Sequence, residues 1–399
     1  DMGKLRMGVL GPADIAKRRM VPAMMKTDDC EYVGVALATE KEHGLGTDSS
    51  PATAEEHGLG TGNGTSAGGD APGAGASGTG DDRISDRTRQ KGEDFVSEFG
   101  GKLYEGYENM LTSDEIDGVY IALPPALHFR WAMRALECGK HVLLEKPFTT
   151  KLEDTRVLLD VADKKGLAVA ENFGFICHRQ VGVIKEILAS GKLGDIRLIR
   201  GNFGFPFRGG EDFRYHRALG GGALLDCGCY TLRMASELLG EDIKIYSAML
   251  CGREGFDVDI YGTISAGIPA ADGNAGSSDA VSRDAIKDNT VSGTGIGAGI
   301  AAQLSFGMDQ QYCCSLEIWG SKGSLQTGRI YTAPPALAAE IEVCTGMERE
   351  TVKVEPDDQF GEMLSAFISM TGDDERRRGS YDMILRQADL MEQVAGLAR

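Results

Sequence analysis

The sequence predicts an N-terminal α/β domain with a doubly wound parallel sheet, residues 1–172, and a C-terminal α+β domain with a large open, mainly antiparallel sheet, residues 173–399. In the first part, short apolar runs of the buried-strand type alternate with segments of helical periodicity, which is the pattern of βαβ units. In the second part, longer strand-like segments follow one another without intervening helices. Antiparallel strands need only short connections, so this change of pattern predicts a second sheet.

The first predicted strand, residues 4–11, runs directly into the tight turn Gly11-Pro-Ala13-Asp14-Ile15-Ala16, after which residues 17–25 have helical spacing. At such a turn in a Rossmann domain, backbone amides and the helix dipole hold a pyrophosphate. The dinucleotide fingerprint Gly-x-Gly-x-x-Gly/Ala is degenerate here, because Ala13 replaces its middle glycine. Alanine is the smallest replacement that lets a phosphate approach, so dinucleotide binding is favoured over a merely structural turn.

The second predicted strand, residues 31–38, should end beside the adenine-side ribose of a bound dinucleotide. Thr39, Glu40 and Lys41 follow it. An acid at this point favours the free hydroxyls of NAD, whereas a basic or hydroxyl side chain tolerates the extra phosphate of NADP. The sequence therefore leaves the choice between the two coenzymes open.

Two tracts are rich in Gly, Ser, Thr, Ala and Asp and almost free of large apolar residues: about 41–91 and about 266–301. Such composition buries too little surface to offset the entropy of ordering the chain. We therefore predict a surface insert in each domain, the second one within a β-hairpin.

The next buried strand, residues 117–123, closes on Pro124-Pro-Ala-Leu-His128 and is followed by a predicted helix over 129–138. A prolyl turn at the carboxyl end of a parallel strand forms a wall of the ligand-binding crevice. His128 lies in this turn. It either contacts the cofactor or only packs against the turn.

A further apolar strand ends in Glu145-Lys146-Pro147, and another ends in Glu171-Asn172-Phe173. Since the carboxyl ends of parallel strands open into the crevice, Lys146 is predicted to point at bound substrate. Most lysines are solvated surface charges, so this assignment depends on its context. The predicted cofactor contacts all lie at strand ends: Gly11, Ala13, Asp14, Ile15, Thr39, Leu123, Pro124, His128, Glu145, Lys146, Pro147 and Asn172.

The remaining predicted elements follow from periodicity alone. Helices are predicted over 93–99, 152–165, 181–190 and 381–397, and strands over 195–205, 243–251, 256–265, 302–306, 314–320 and 323–326. A run of glycines, 220–222, precedes an apolar helix that carries Asp226 and Tyr230. Residues four apart share one helical face, so this carboxylate and phenol could orient a sugar and relay a proton. Alternatively, Asp226 caps the helix and Tyr230 packs in the core.

Composition excludes several classes of protein. A formal net charge of -18 argues against a nucleic-acid binder, which needs Lys and Arg to neutralise phosphates. Nine cysteines without a Cys-x-x-Cys pair indicate neither a disulfide framework nor a metal site. There is no apolar run of the roughly 20 residues that span a bilayer, and no signal peptide, so we expect a cytoplasmic protein without a membrane partner.

Three motifs resemble the glucose-fructose oxidoreductase / inositol dehydrogenase / rhizopine-catabolism (Gfo/Idh/MocA) family: the turn at 11–16, Glu-Lys-Pro at 145–147 and Gly-Gly-Gly-x-Leu-x-Asp-x-Gly at 220–228. Within it, segments such as 171–175 and 212–214 are similar to the NDP-hexose 3-ketoreductases. The resemblance covers nearly everything outside the two inserts.

This resemblance implies hydride transfer between NAD or NADP and a sugar carbon, the sugar being free or nucleotide-linked. Lys146 would lie at the reacting oxygen, Tyr230 would donate a proton, and Asp226 would orient the sugar or Lys146. The implied substrate contacts are Phe173, Arg214, Tyr215 and Arg233; a salt bridge inside the fold accounts equally well for either arginine.

Two enzymatic alternatives remain, a dihydrodiol-dehydrogenase-like enzyme and a free-sugar or inositol dehydrogenase. A non-catalytic dinucleotide-binding sensor is a third possibility, because fold likeness alone does not establish function. The family generally associates through the open sheet of the second domain, so the resemblance also implies a homo-dimer or homo-tetramer.

Overall fold

The computed structural model describes residues 3–43, 83–270 and 299–398. Its first sheet is formed by β1 Leu5–Leu10, β2 Cys30–Leu37, β3 Lys102–Glu105, β4 Gly118–Ile121, β5 His141–Leu144 and β6 Val169–Glu171. All paired neighbours are parallel, in the order β3-β2-β1-β4-β5-β6. Strands β2 and β3 therefore lie on one side of β1, and β4, β5 and β6 lie on the other. This order places a topological switch point, where doubly wound folds bind ligands, between β1 and β4.

Helices cover both faces of this sheet: α1 Val21–Lys26, α2 Glu40–His43, α3 Asp86–Phe99, α4 Tyr107–Leu111, α5 His128–Glu137 and α6 Leu152–Lys165. Successive side chains of a strand point to opposite faces. In β1, Met7 and Val9 therefore belong to one apolar core layer and Leu10 to the other. This arrangement confirms the predicted doubly wound α/β domain.

The limits of the first predicted insert are wrong at both ends. Helix α2 occupies Glu40–His43, and α3 begins at Asp86. The Ser85 side chain caps α3 by accepting a hydrogen bond from the Thr88 amide, and Gly92 lets the helix pack tightly on Leu37. A capping serine and a small residue facing the sheet thus hold this polar segment as helix. The rest of the predicted insert, 44–82, lies outside the described residues.

The second sheet contains β7 Ile196–Gly204, β8 Lys244–Gly252, β9 Asp259–Ile268, β10 Ile300–Gly307, β11 Cys313–Gly320, β12 Gly323–Gly328, β13 Ala339–Thr345 and β14 Glu348–Val354. Its order is β14-β13-β12-β11-β7-β10-β9-β8. Among the described strands, β7 and β10 pair in parallel and the other neighbours antiparallel. Because β9 and β10 are strands up to 268 and from 300, the second predicted insert was also too long; residues 271–298 are not among those described.

Two helices of the second domain, α7 Arg179–Ala189 and α8 Cys229–Leu239, contribute to the core that covers one face of this sheet. The opposite face is more open. Along β9, Ile260 and Ile264 are buried whereas Tyr261 is half exposed, as expected for a strand covered on one side only.

The C-terminal helices, α9 Gln359–Met370 and α10 Asp374–Leu397, return to the first domain. Phe367 of α9 joins a core layer of the first sheet, and the Ser380 hydroxyl of α10 donates a hydrogen bond of 2.8 Å to the Val169 carbonyl in β6. Helix α10 starts two turns before the predicted residue 381, because Asp373 caps it. Farther along α10, Leu390 and Val394 join the core of the second sheet, so this helix contacts both domains. Within the described ranges, no helix is long and apolar enough to cross a membrane.

Close packing of β2 on β3 yields a test of the fold. A β-carbon added at Gly34 would lie 2.2 Å from the Lys102 carbonyl oxygen, and backbone cannot yield as a side chain can. We expect Gly34→Ala to lower the free energy of unfolding by about 1–3 kcal/mol, the usual cost of overpacking. Urea unfolding followed by circular dichroism measures it.

Gly182→Ala is the matched control. Gly182 lies within α7, and an added β-carbon would have no heavy atom within 4 Å. Alanine there should be neutral or stabilise by up to about 1 kcal/mol, from its helix propensity. Equal midpoints for the two variants would contradict the described β2–β3 register.

Candidate active site

A cavity of about 630 Å³ lies at the carboxyl ends of the first sheet, facing the covered face of the second. Both domains line it. From the first come Ala13, Ile15, Lys146 and Asn172, and from the second come Phe203 and Tyr230. Its position agrees with the general rule that α/β sheets bind ligands beyond their strand ends.

The glycine turn after β1 has the geometry that dinucleotide binding requires. Gly11 has φ +88°, and a β-carbon there would lie 2.8 Å from Leu123 Cδ2. The Lys17 amide donates a hydrogen bond of 3.0 Å to the Ala13 carbonyl, which starts the following helix; the helix continues through a π-helical turn, Ala16–Met20, into α1. Asp14 and Ile15 line the cavity with Ala13. The first amides of a helix lack internal partners, so this turn fits a dinucleotide pyrophosphate.

Lys146 is held by a chain of alternating charges. Its Nζ donates hydrogen bonds of 2.8 Å to both the Oδ1 and the backbone oxygen of Asp226. The second carboxylate oxygen of Asp226 accepts from Arg214 Nε at 2.8 Å, and Arg214 Nη1 donates to Asp212 at 3.1 Å. Lys146 and Asp226 are nearly buried, with 11% and 9% of their side chains exposed.

These contacts determine the protonation states of the pair. Burial alone would raise the pKa of Asp226, but Lys146 and Arg214 outweigh it and lower the pKa well below its ordinary value. Burial would likewise lower the pKa of Lys146, and the Asp226 carboxylate reverses the shift, so that its net pKa is raised. The site therefore contains a charged ammonium and a charged carboxylate in the neutral range.

Tyr230 lies on the first turn of α8, with the Lys146 ammonium 4.8 Å from the centre of its ring. Its ring packs edge-on against Phe173 and Phe203, at centroid distances of 5.5 and 5.0 Å. Burial raises the pKa of the phenol, while Lys146 opposes the shift. Tyr230 is thus a protonated hydroxyl beside a cation at the cavity wall.

A second polar network holds the strand ends behind Lys146. Glu145 Oε1 accepts hydrogen bonds from the Tyr120 hydroxyl and, at 2.6 Å, from Asn172 Nδ2. Burial raises the pKa of Glu145. The Oδ1 of Asn172 is buried without a hydrogen-bond partner among the described residues, which leaves an acceptor at the cavity edge for a ligand donor such as a carboxamide. Tyr120 was not predicted; a tyrosine inside the buried run 118–121 was the available signal.

Four predicted cofactor contacts do not line this cavity: Gly11, in the turn described above, and Thr39, His128 and Pro147. His128 is fully buried, with Nδ1 and Nε2 each 2.8 Å from a backbone oxygen, of Pro147 and Leu123 respectively. Both ring nitrogens thus have partners within the protein, which favours the packing alternative for His128 over a cofactor contact. Thr39 is nearly buried, and its amide donates to Glu42 Oε2 at 2.8 Å. Pro147 instead lines a neighbouring cavity.

Three predicted substrate contacts are likewise occupied by contacts within the protein. Phe173 is buried behind Tyr230. The buried Tyr215 donates its hydroxyl to the Met308 carbonyl at 2.8 Å. Arg233 forms an ion pair of 2.9 Å with Glu237, one helical turn away. Sequence patterns place these residues near the site but do not reveal which partners bury them. Arg214 does line the cavity.

Several cavity residues were missed: Phe175, Phe203, Phe205, Arg208, Tyr331 and Gln359. The alternation in Phe203-Gly-Phe205, at the end of β7, was a usable signal for two aromatic rings on one face. Tyr331 follows β12, and Gln359 is the first residue of α9. No helix or strand was predicted from the sequence in this part of the chain.

A dinucleotide turn, a buried lysine-carboxylate pair and an adjacent phenol in one cleft define an NAD(P)-dependent oxidoreductase of two domains. The chain belongs to the Gfo/Idh/MocA family. Residues 59–173 match the family model "Oxidoreductase family, NAD-binding Rossmann fold", and residues 181–326 match "GFO/IDH/MocA C-terminal domain". The predicted family and the requirement for NAD(P) are confirmed.

Relatives that match most or all of the chain are named as sugar 3-reductases or 3-ketoreductases. The chain is 33% identical to a dTDP-3,4-didehydro-2,6-dideoxy-alpha-D-glucose 3-reductase of Streptomyces violaceoruber, over 98% of this chain and 94% of the relative. Its counterpart in Actinomadura kijaniata is 34% identical, over 79% of this chain and 87% of the relative. The crystal structure of KijD10, a 3-ketoreductase from Actinomadura kijaniata in complex with NADP and TDP-benzene, superposes with a TM-score of 0.77 and 30% identity, covering 100% of this chain and 98% of that one.

The neighbouring Glu171 provides a test of burial beside the site. It accepts a hydrogen bond of 2.8 Å from the Phe148 amide, and burial raises its pKa to about 7. An unfolded glutamate has a pKa of about 4.3, so ionisation is penalised in the folded state and stability falls as pH rises between these two values. An amide oxygen can accept the same hydrogen bond. We expect Glu171→Gln to gain on the order of 3–4 kcal/mol above pH 7 and almost nothing at pH 4, since one pKa unit corresponds to about 1.36 kcal/mol.

Thermal unfolding of wild type and Glu171→Gln across this pH interval measures the difference. Glu153→Gln, on the exposed side of α6, is the control and should leave the pH profile unchanged. A gain for Glu171→Gln that is the same at pH 4 and pH 8 would show that the carboxyl group does not titrate as described.

Proposed function

We propose that this protein reduces the 3-keto group of a dTDP-linked deoxysugar with NADPH. The observation that carries the proposal is the convergence of Tyr230, Lys146 and Asp226 on one cavity beside the dinucleotide turn. The names of the full-length relatives support the nucleotide-linked sugar, and the NADP in the KijD10 complex supports that coenzyme.

The residues divide the chemistry between them. NADPH, when bound, supplies the hydride to the keto carbon. The turn at Gly11 and the free Oδ1 of Asn172 are suited to hold its pyrophosphate and its nicotinamide end. Tyr230 donates its proton to the oxygen that becomes an alkoxide, and the Lys146 ammonium stabilises the negative charge there. Asp226 keeps Lys146 charged and oriented.

The raised pKa of Tyr230 suits this direction of reaction. Burial keeps the phenol protonated until a stronger base appears, and an alkoxide is such a base. The Lys146 ammonium then stabilises the phenolate that remains, which allows the phenol to give up its proton in this apolar setting.

Single-residue variants test the assignment. NADPH oxidation, followed by absorbance with dTDP-linked 3-keto sugars, should require both groups. We expect Lys146→Ala and Tyr230→Phe each to lower kcat about 10²- to 10⁴-fold, the range of a lost general acid. Tyr246→Phe, which removes the hydroxyl of an exposed tyrosine on β8, is the matched control and should be fully active.

The same assay distinguishes the alternatives. Turnover of free sugars, inositol or diols, without turnover of nucleotide-linked sugars, would show that the proposed substrate class is wrong. The assignment as an oxidoreductase would remain. Tight NADPH binding without turnover of any of these compounds would instead favour a non-catalytic sensor.

A second copy of the chain is proposed to cover the open face of the second sheet, giving a homo-dimer or homo-tetramer. Large apolar side chains stand half exposed on this face: Met249 on β8, Tyr261 on β9 and Trp319 on β11. Such a patch is typical of an association surface. A cytoplasmic location is likewise proposed, supported by nine cysteines that are all free thiols within the described residues.

Charge introduced on this face should separate the copies. We expect the double variant Met249→Glu/Tyr261→Glu to sediment as a monomer at concentrations where the wild type is oligomeric, because like charges would meet across the interface. Met347→Glu, in the fully exposed turn after β13, is the control. A monomeric wild type in sedimentation velocity runs would refute the oligomer.

A further inference from the structure

Five cationic side chains line the cavity: Arg18, Arg19, Lys146, Arg208 and Arg214. Four of them have an acidic partner within the protein. Lys146 and Arg214 share Asp226. Arg18 lies 3.7 Å from Asp14, and Arg19 lies 3.7 Å from Asp358.

Arg208 is the exception in the described part of the chain. Its guanidinium forms neither an ion pair nor a hydrogen bond with any described residue, and lies 4.5 Å above the centre of the Phe205 ring. Acidic residues outnumber basic ones by 60 to 42 in this protein, so an unpaired arginine in its central cleft is available for an anionic ligand.

Hydrogen bonds hold the backbone of Arg208 in place. Its backbone amide donates a hydrogen bond of 3.1 Å to the Tyr215 hydroxyl, which in turn donates to the Met308 carbonyl at 2.8 Å. Phe205, the ring beneath the guanidinium, is buried and follows β7 directly. A stacked guanidinium keeps its N–H edge free, and that edge matches phosphate oxygens in a bidentate manner. Tyr215 is thus a positioning residue for this loop.

A nucleotide-linked sugar carries two phosphate charges into this cleft. Arg214 is unsuited to receive them, because its Nε and Nη1 already donate to Asp226 and Asp212, and releasing it would disturb the Lys146 pair. Arg233 is paired with Glu237. We infer that Arg208 binds the diphosphate of the nucleotide-linked substrate, an inference that rests on the proposed function.

Calorimetric titration of the NADP⁺-loaded enzyme with dTDP tests the inference without turnover. A charge-assisted hydrogen bond contributes enough that Arg208→Ala should weaken dTDP binding about 10- to 100-fold. Arg208→Lys, which keeps the charge but not the planar fork, should recover part of the loss. Affinity for thymidine, which has no phosphate, and for NADP⁺ should stay unchanged.

Arg253→Ala is the matched control. Arg253 also stacks on phenylalanine rings, 5.2 Å from Phe207, but pairs with Asp309 outside the cavity; this variant should bind dTDP as the wild type does. In steady-state assays, Arg208→Ala should raise KM for the nucleotide-linked sugar and leave kcat nearly unchanged, the pattern of a contact made equally in ground and transition states.

Each other outcome overturns the inference in a recognisable way. If Arg208→Ala binds dTDP as tightly as the wild type does, and the wild type reduces dTDP-linked sugars, then Arg208 does not bind the diphosphate. The proposed function would not be affected. Loss of NADP⁺ affinity would assign Arg208 to the coenzyme. Loss of dTDP affinity in Arg19→Ala but not in Arg208→Ala would place the diphosphate beside Arg19 instead. A wild type that neither binds dTDP nor reduces dTDP-linked sugars would reject the proposed function itself.

Discussion

The Asp226 carboxylate joins the two halves of the molecule. One of its oxygens accepts from Lys146, at the end of β5 in the first domain, and the other accepts from Arg214 in the second. Removing one partner of a buried ion pair leaves an uncompensated charge, at a cost of about 3–5 kcal/mol. The contact between the two domains at this point and the charge state of Lys146 therefore depend on the same carboxylate.

Glycines make this contact sterically possible. A β-carbon at Gly221 would lie 2.4 Å from the Arg214 carbonyl, and one at Gly220 would lie 2.8 Å from the Ala126 amide in the first domain. Gly222 has φ +127°, which side-chain-bearing residues rarely adopt. Directly after this run, the π-helical turn Leu224–Gly228 carries Asp226 into the cleft, one turn before Tyr230. π-helical turns are rare and occur frequently at functional sites.

Local periodicity was sufficient for much of the fold. It predicted α6 at its observed bounds, Leu152–Lys165, the parallel strands of the first sheet and the change to a second sheet. It missed β13 although its alternation of exposed Glu340 and Glu342 with buried Ile341 and Val343 is regular. The strand was overlooked because it follows a segment, 329–338, without regular structure.

Predictions for the site depended on a different kind of information. Lys146, Asp226 and Tyr230 could be placed together at one cavity because strand ends and helical spacing give a direction to each side chain. A polar residue near a cleft can be satisfied by a ligand or by the protein, and the structure gives His128, Tyr215 and Arg233 partners within the protein. Only tertiary contacts distinguish them. Arg208 could not be predicted at all, because an arginine in a loop belongs to no periodic pattern. It stands out only in the structure, where its guanidinium has no acidic partner among the described residues.

The aromatic surroundings of Tyr230 and the charge on Lys146 have opposite effects on the phenol. Phe173, Phe203 and Tyr331 pack around the ring, at centroid distances of 5.5, 5.0 and 6.0 Å. An apolar wall excludes water, which strengthens electrostatic interactions within the cleft but also opposes formation of a phenolate. The nearby Lys146 ammonium compensates for that lost hydration, and Asp226 in turn supplies the charge that keeps the ammonium protonated. The proton affinity of Tyr230 therefore depends on residues from both domains, because Lys146 comes from the first and Asp226 from the second.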